Sequence, residues 1–117
     1  MNEFLNIAIK AIDEKHGNDI RVIDISEISV LADYFIIVHG NNTPQIGAIV
    51  ENIDKELSKE GHEPKNIEGN KNGGWMLMDY SHTIIHVFGK QERLFYDLER
   101  LWVDGKPVIF ESTKQED

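Results

Sequence analysis

The fold turns on the stretch Gly73-Gly74-Trp75-Met76-Leu77-Met78-Asp79-Tyr80-Ser81-His82-Thr83-Ile84-Ile85-His86-Val87-Phe88. Two apolar runs flank a short polar break behind a glycine pair, the pattern of a β-hairpin. A turn at Tyr80-Ser81 pairs Asp79 with His82, Leu77 with Ile84 and Trp75 with His86, and a four-residue loop from Asp79 to His82 keeps that register. Period-two alternation puts Trp75, Leu77, Ile84, His86 and Phe88 on one face, and Met76, Met78, Thr83, Ile85 and Val87 on the other. Both faces are apolar, whereas a solvated antiparallel hairpin shows one polar face. Each side needs a cover. One is expected to be helices, and the Trp75 side is expected to meet a partner.

Working outward, residues 2–16 read as a helix capped by Asn2, with Phe4, Leu5, Ala8, Ala11 and Ile12 at helical spacing and Gly17 as its terminator. Residues 19–25 and 33–40 read as strands, the second with a continuously apolar centre. Asn42 or Thr43 then caps a helix with Pro44 in its first turn. Ile46, Ile49, Val50, Ile53 and Leu57 give it a clear apolar stripe, and Gly61 ends it. Residues 64–69 suggest a polar edge strand, followed by a mobile glycine-rich turn to Gly74. Beyond the hairpin, Lys90 to Trp102 reads as one helix with Leu94, Phe95, Leu98, Leu101 and Trp102 on its buried stripe and Tyr96 nearly opposite. The expected architecture is α/β (α+β): a mixed β-sheet of about five strands with helices mainly on one face. Residues 1–102 form one domain and 103–117 a loosely held polar tail.

The chain has 117 residues, no cysteine and a net charge of −9, from 21 acidic against 12 basic residues. That length fits one domain with its own core. Without cysteine there is no disulfide framework or thiolate site. Nothing resembles a signal peptide or membrane span, so a cytoplasmic protein is expected. The acidic balance opposes wrapping of a nucleic-acid backbone, predicts little direct nucleic-acid contact and allows steering toward a basic partner.

Catalytic and metal chemistry find little support. His82 and His86 lie four apart on a strand, about 13 Å, too far to share an ion. Asp24, Asp33 and Asp79 have no D-x-D spacing and no phosphate loop ahead of them, although a magnesium-dependent transferase would use such carboxylates. Residues 69–74 lack the G-x-x-x-x-G-K-[ST] pattern. What remains is aromatic. Trp75 and Tyr96 are assigned to the surface, Phe95 and Trp102 to the core, and His86 opposite Trp75 is either a packed core group or part of a binding face.

Four segments then match one family in order: Ser29-Val30-Leu31-Ala32-Asp33-Tyr34-Phe35-Ile36-Ile37, Gly74-Trp75-Met76-Leu77-Met78-Asp79-Tyr80, His86-Val87-Phe88, and Arg93-Leu94-Phe95-Tyr96-Asp97-Leu98-Glu99-Arg100-Leu101-Trp102. From about Phe4 to Trp102 the chain resembles the ribosomal silencing factors, also called Iojap-like proteins. Relatives commonly carry a glycine after the tyrosine, where this chain has Ser81. The resemblance implies a nucleotidyltransferase-like topology without the catalytic residues, and no enzyme activity, cofactor or metal. It implies binding to the large ribosomal subunit through its L-fourteen ribosomal protein. That binding blocks small-subunit docking and represses translation in starvation or stationary phase. Homodimers occur in the family, and its organellar members act in large-subunit assembly. The partner-binding positions carried over are Trp75, Leu77, Asp79, Tyr80, His86, Phe88, Arg93, Tyr96 and Glu99. The alternatives are a residual magnesium-dependent nucleotidyltransferase-like enzyme and a self-pairing dimerisation module.

Overall fold

A computed structural model describes residues 2–110. The helices are α1 (Glu3–Glu14), α2 (Thr43–Lys59), α3 (Lys90–Tyr96) and α4 (Leu98–Leu101). The strands are β1 (Asn18–Asp24), β2 (Tyr34–Gly40), β3 (Asn66–Asn70), β4 (Trp75–Asp79), β5 (Thr83–Gly89) and β6 (Lys106–Pro107). They form one sheet in the order β3-β4-β5-β2-β1-β6. β2 and β5 run parallel and the other neighbours antiparallel, so the sheet is mixed and has six strands where about five are expected.

The helix ends follow local chemistry. Asn2 Oδ1 accepts from the Leu5 amide at 2.8 Å and caps α1. Of the two candidate caps of α2, Asn42 is the one used: its Oδ1 accepts from the Gln45 amide at 2.9 Å, while Gln45 Oε1 accepts from the Asn41 amide at 2.6 Å. Reciprocal bonds of this kind satisfy donors that the helix leaves orphaned. Gly61 takes φ +85° just past α2, as a C-terminal glycine should. At α1, however, His16 rather than Gly17 adopts the left-handed turn, with φ +61°. Gly17 is needed for space, because a Cβ there would meet Ile12 and, at 2.8 Å, Val38.

α1 and α2 pack on one sheet face. The stripes Phe4, Leu5, Ala8, Ala11, Ile12 and Ile46, Ile49, Val50, Ile53, Leu57 are all buried there, against Ile36, Val38, Met78, Ile85 and Val87. Asn52 ties the two helices together, donating to the Ala11 carbonyl at 2.8 Å and to Glu14 at 3.0 Å. Burial on this scale, at about 25 cal/mol per Å² of apolar surface, is the main force holding the sheet to its helices.

The hairpin exists, but its register differs from expectation. Trp75 pairs with Phe88, Leu77 with His86 and Asp79 with Ile84. The turn therefore centres on Ser81-His82. Asp79 Oδ1 accepts from the Ser81 amide at 2.8 Å and Ser81 takes φ +73°, so side-chain chemistry moves the turn on by one residue. A register change of two residues preserves side-chain parity, and the two faces keep the composition read from the sequence.

Three other expectations are corrected. Lys90 to Trp102 is not one helix: Asp97 adopts φ +50° and divides it into α3 and α4. The turn ahead of the hairpin contains a 3-10 helix at Lys71–Gly73, capped by Asn70. The segment after Trp102 joins the sheet, with Lys106 opposite Asp24 and Pro107 opposite Ile23, and Val108 and Phe110 packing on the core. The rest of the expected tail, 111–117, lies outside the described residues.

Candidate partner-binding face

The second sheet face carries Phe35, Ile84, His86, Phe88, Trp75 and Leu77, and α3–α4 crosses part of it. An aromatic run spans the face. Phe95 meets Tyr96 edge-on at 5.1 Å, Tyr96 meets Trp75 at 4.4 Å, and Trp75 lies 5.2 Å from Phe88. His86 continues it to Phe35 at 4.8 Å, and Phe35 to Trp102 at 5.0 Å. Trp75 Nε1–H donates to His86 Nδ1 at 3.2 Å, which places the imidazole proton on Nε2. Burial alone pushes His86 down to about 4, so the ring is neutral near pH 7. Its Nε2–H finds no acceptor among the described residues.

Arg93 fixes the α3–α4 segment to the sheet. The guanidinium is buried and binds Glu99 through Nη2 at 2.7 Å and Nε at 3.1 Å. The other terminal nitrogen donates to the Asn18 carbonyl at 3.2 Å and to His39 Nδ1 at 3.0 Å. Burial, and then the Arg93 charge, hold His39 below the usual imidazole range, which suits its role as acceptor. A bulge in β1, with Asp19 at φ +50°, brings Asp19 within 3.7 Å of the same guanidinium.

The structure splits the nine expected binding positions. Trp75, Leu77 and Tyr96 share the partly open face, and Trp75 and Leu77 line a shallow hollow of about 190 Å³ beside Glu68 and Gly69. His86 and Phe88 lie beneath them, 4% and 0% exposed, and support Trp75 rather than reaching solvent. Arg93 is a buried clamp, and Glu99 is its partner. Asp79 holds the hairpin turn. Tyr80 points to the opposite side, buried against Phe4 at 5.0 Å, so it does not join the Trp75 face.

The expected core stripe of the third helix is also reversed. Phe95 is 81% exposed, Leu94 73% and Leu101 71%, while Tyr96, assigned to the surface, is 42% exposed with its ring against Trp75. Trp102 is where it was expected, against Phe35. The left-handed residue at Asp97 also ends α3 and rotates α4 relative to it, so the two helices do not present one continuous stripe.

Of the carboxylates considered for metal chemistry, Asp24 and Asp79 serve as local structure. Asp24 accepts from the Ser26 amide and hydroxyl at 2.9 and 2.6 Å, and these bonds hold its carboxyl below the usual range. Among the described residues no three metal-ligating side chains gather. His82 packs on Phe4 and His86 on Phe35, on different faces of the sheet. No helix among the described residues is long and apolar enough to cross a membrane.

Comparison with known proteins agrees with this geometry. The family model described as "Ribosomal silencing factor during starvation" matches residues 1–117. A Bacillus subtilis protein named ribosomal silencing factor RsfS is 42% identical over 101 residues, 86% of each chain. Its namesake from Halalkalibacterium halodurans is 38% identical over 109 residues, 93% of each chain. A crystal structure from Chromobacterium violaceum superposes with a TM-score of 0.84 at 29% identity, covering 97% of this chain and 98% of that one. The chain belongs to the ribosomal silencing factor family.

Proposed function

We propose that the chain binds the large ribosomal subunit through its L-fourteen ribosomal protein and blocks docking of the small subunit by occupying that surface, without enzymatic chemistry. The observation that carries this reading is the partly open apolar ledge of Trp75, Leu77 and Tyr96, with exposed Phe95 against Tyr96, on a chain of net charge −9. Contiguous exposed apolar surface marks a protein-binding site, and aromatic anchors are the residue type that carries most of the energy there. Ribosomal proteins are basic, so the acidic surface adds steering toward them. A standard interface of about 800 Å² per partner would cover the ledge and its rim.

Co-sedimentation of wild-type and Trp75→Ala protein with purified large subunits tests the assignment. The wild type should pellet with the subunit and the variant should not. Equal pelleting by a folded variant would remove Trp75 from the interface. The same exposed residues would also suit a second copy of the chain. Equilibrium sedimentation separates the two readings: a monomer that binds subunits supports the ribosomal one.

A further inference from the structure

The hollow beside Trp75 has a charged side as well as an apolar one. β3 is an edge strand, and all five of its residues are exposed. Its register sets Glu68 opposite Leu77 and Asn70 opposite Trp75, so Glu68 stands on the aromatic face of the sheet. Gly69 keeps the two strands close at this point: it takes φ +97°, and a Cβ there would run into the Trp75 carbonyl. Trp75 and Leu77 therefore wall the hollow from β4, and Glu68 walls it from the sheet margin.

The side chains around this space are selective in what they can bind. Trp75 spends its Nε1–H on His86 and offers only its ring. Leu77 offers methyl groups, and an ionised Glu68 can only accept. The Asn66 side-chain amide donates to Glu68 Oε2 and steadies the carboxylate, which keeps further lone pairs for a second donor. Among the described residues Glu68 enters no ion pair. At about 190 Å³ the hollow is smaller than the roughly 300–1,000 Å³ of small-molecule sites, and it suits one side chain. Apolar walls that end in a carboxylate match a long side chain with an aliphatic stem and a cationic head. The Trp75 ring adds a cation–π attraction for the same head. An acidic or short polar side chain would find no donor among these side chains.

Building on the ribosomal reading above, we propose that Glu68 is a specificity-determining residue of that interface: it receives the cationic head of an arginine or lysine of the basic partner, whose stem lies across Leu77 and Trp75. The test is the kinetics of binding to purified large subunits by the wild type, Glu68→Gln, Leu77→Ala, the double variant and Glu51→Gln. Glu51 is exposed on α2, on the other side of the sheet, and its substitution removes the same single charge. Both glutamine variants should associate slightly more slowly, since each weakens steering. Only Glu68→Gln should also dissociate faster, by at least about tenfold, because it unpairs a cation that the interface has covered. Leu77→Ala should hasten dissociation too, and the double variant should go little faster than the worse single one, since both residues hold one side chain. Equal dissociation of Glu68→Gln and Glu51→Gln, or effects of Glu68 and Leu77 that simply multiply, would overturn the role of Glu68 while leaving the ribosomal reading in place. Failure of the wild type to bind subunits would overturn both.

Discussion

In the proposed reading Trp75 anchors the partner, because its ring is held from three sides. Tyr96 lies against it at 4.4 Å, Phe88 at 5.2 Å, and its Nε1–H is spent on His86. A rigid aromatic of this kind loses little entropy on docking, so Trp75→Ala should weaken large-subunit binding by about 2 kcal/mol or more, measured by co-sedimentation titration. His86 gives the same cluster a pH signature. Its folded-state value, about 4, is below the unfolded 6.5, so the unfolded chain binds more protons in that interval. The stability this group contributes is complete above 6.5 and is lost as pH falls toward 4, by about 3 kcal/mol in all. Urea titrations across that range should show the slope in the wild type, and His86→Phe should lack it. A variant with an unchanged slope would place the titration elsewhere.

At the scale of elements, α3–α4 is a short cover fastened by one buried guanidinium. Arg93 reaches Glu99, His39 and the Asn18 carbonyl, so its removal should free the cover while leaving the helix-backed core intact. Arg93→Met should cost about 1–2 kcal/mol, below the usual value for a fully buried pair because Glu99 remains partly solvated. Hydrogen exchange should then accelerate in residues 90–107 and stay slow in β2 and β5. Uniform acceleration would show that the cover and the core unfold together. This element was also the least legible in the sequence. The α2 stripe could be read because 3.6-residue periodicity survives packing, and the two hairpin faces because parity survives a two-residue slip. Asp97 and Ser81 broke the reading: each takes a left-handed backbone through local bonding, which no hydrophobic pattern encodes. Phe95, assigned to the core on one continuous helix, is exposed, and Tyr80, carried over as a binding position from the resemblance alone, is buried.

Across the whole molecule, the mixed sheet separates two surfaces by chemistry. One face is closed by α1 and α2. The other keeps an apolar ledge because α3–α4 covers only part of it. The doubly apolar hairpin already implied that division, and the proposed partner comes only from family resemblance, since no residue pattern names a ribosomal protein. The net charge of −9 adds a prediction at this scale. Association with large subunits should slow as salt rises from low to physiological concentration, where the screening length falls to about 8 Å, while dissociation changes little. Stopped-flow mixing with labelled subunits reads both rates. The central claim is steric occlusion, and a sucrose gradient tests it most directly: purified small and large subunits are mixed under joining conditions with and without a saturating amount of the protein. The account predicts that the joined-particle peak collapses into separate subunits, with the protein travelling on the large one; an undiminished joined peak carrying bound protein would contradict it.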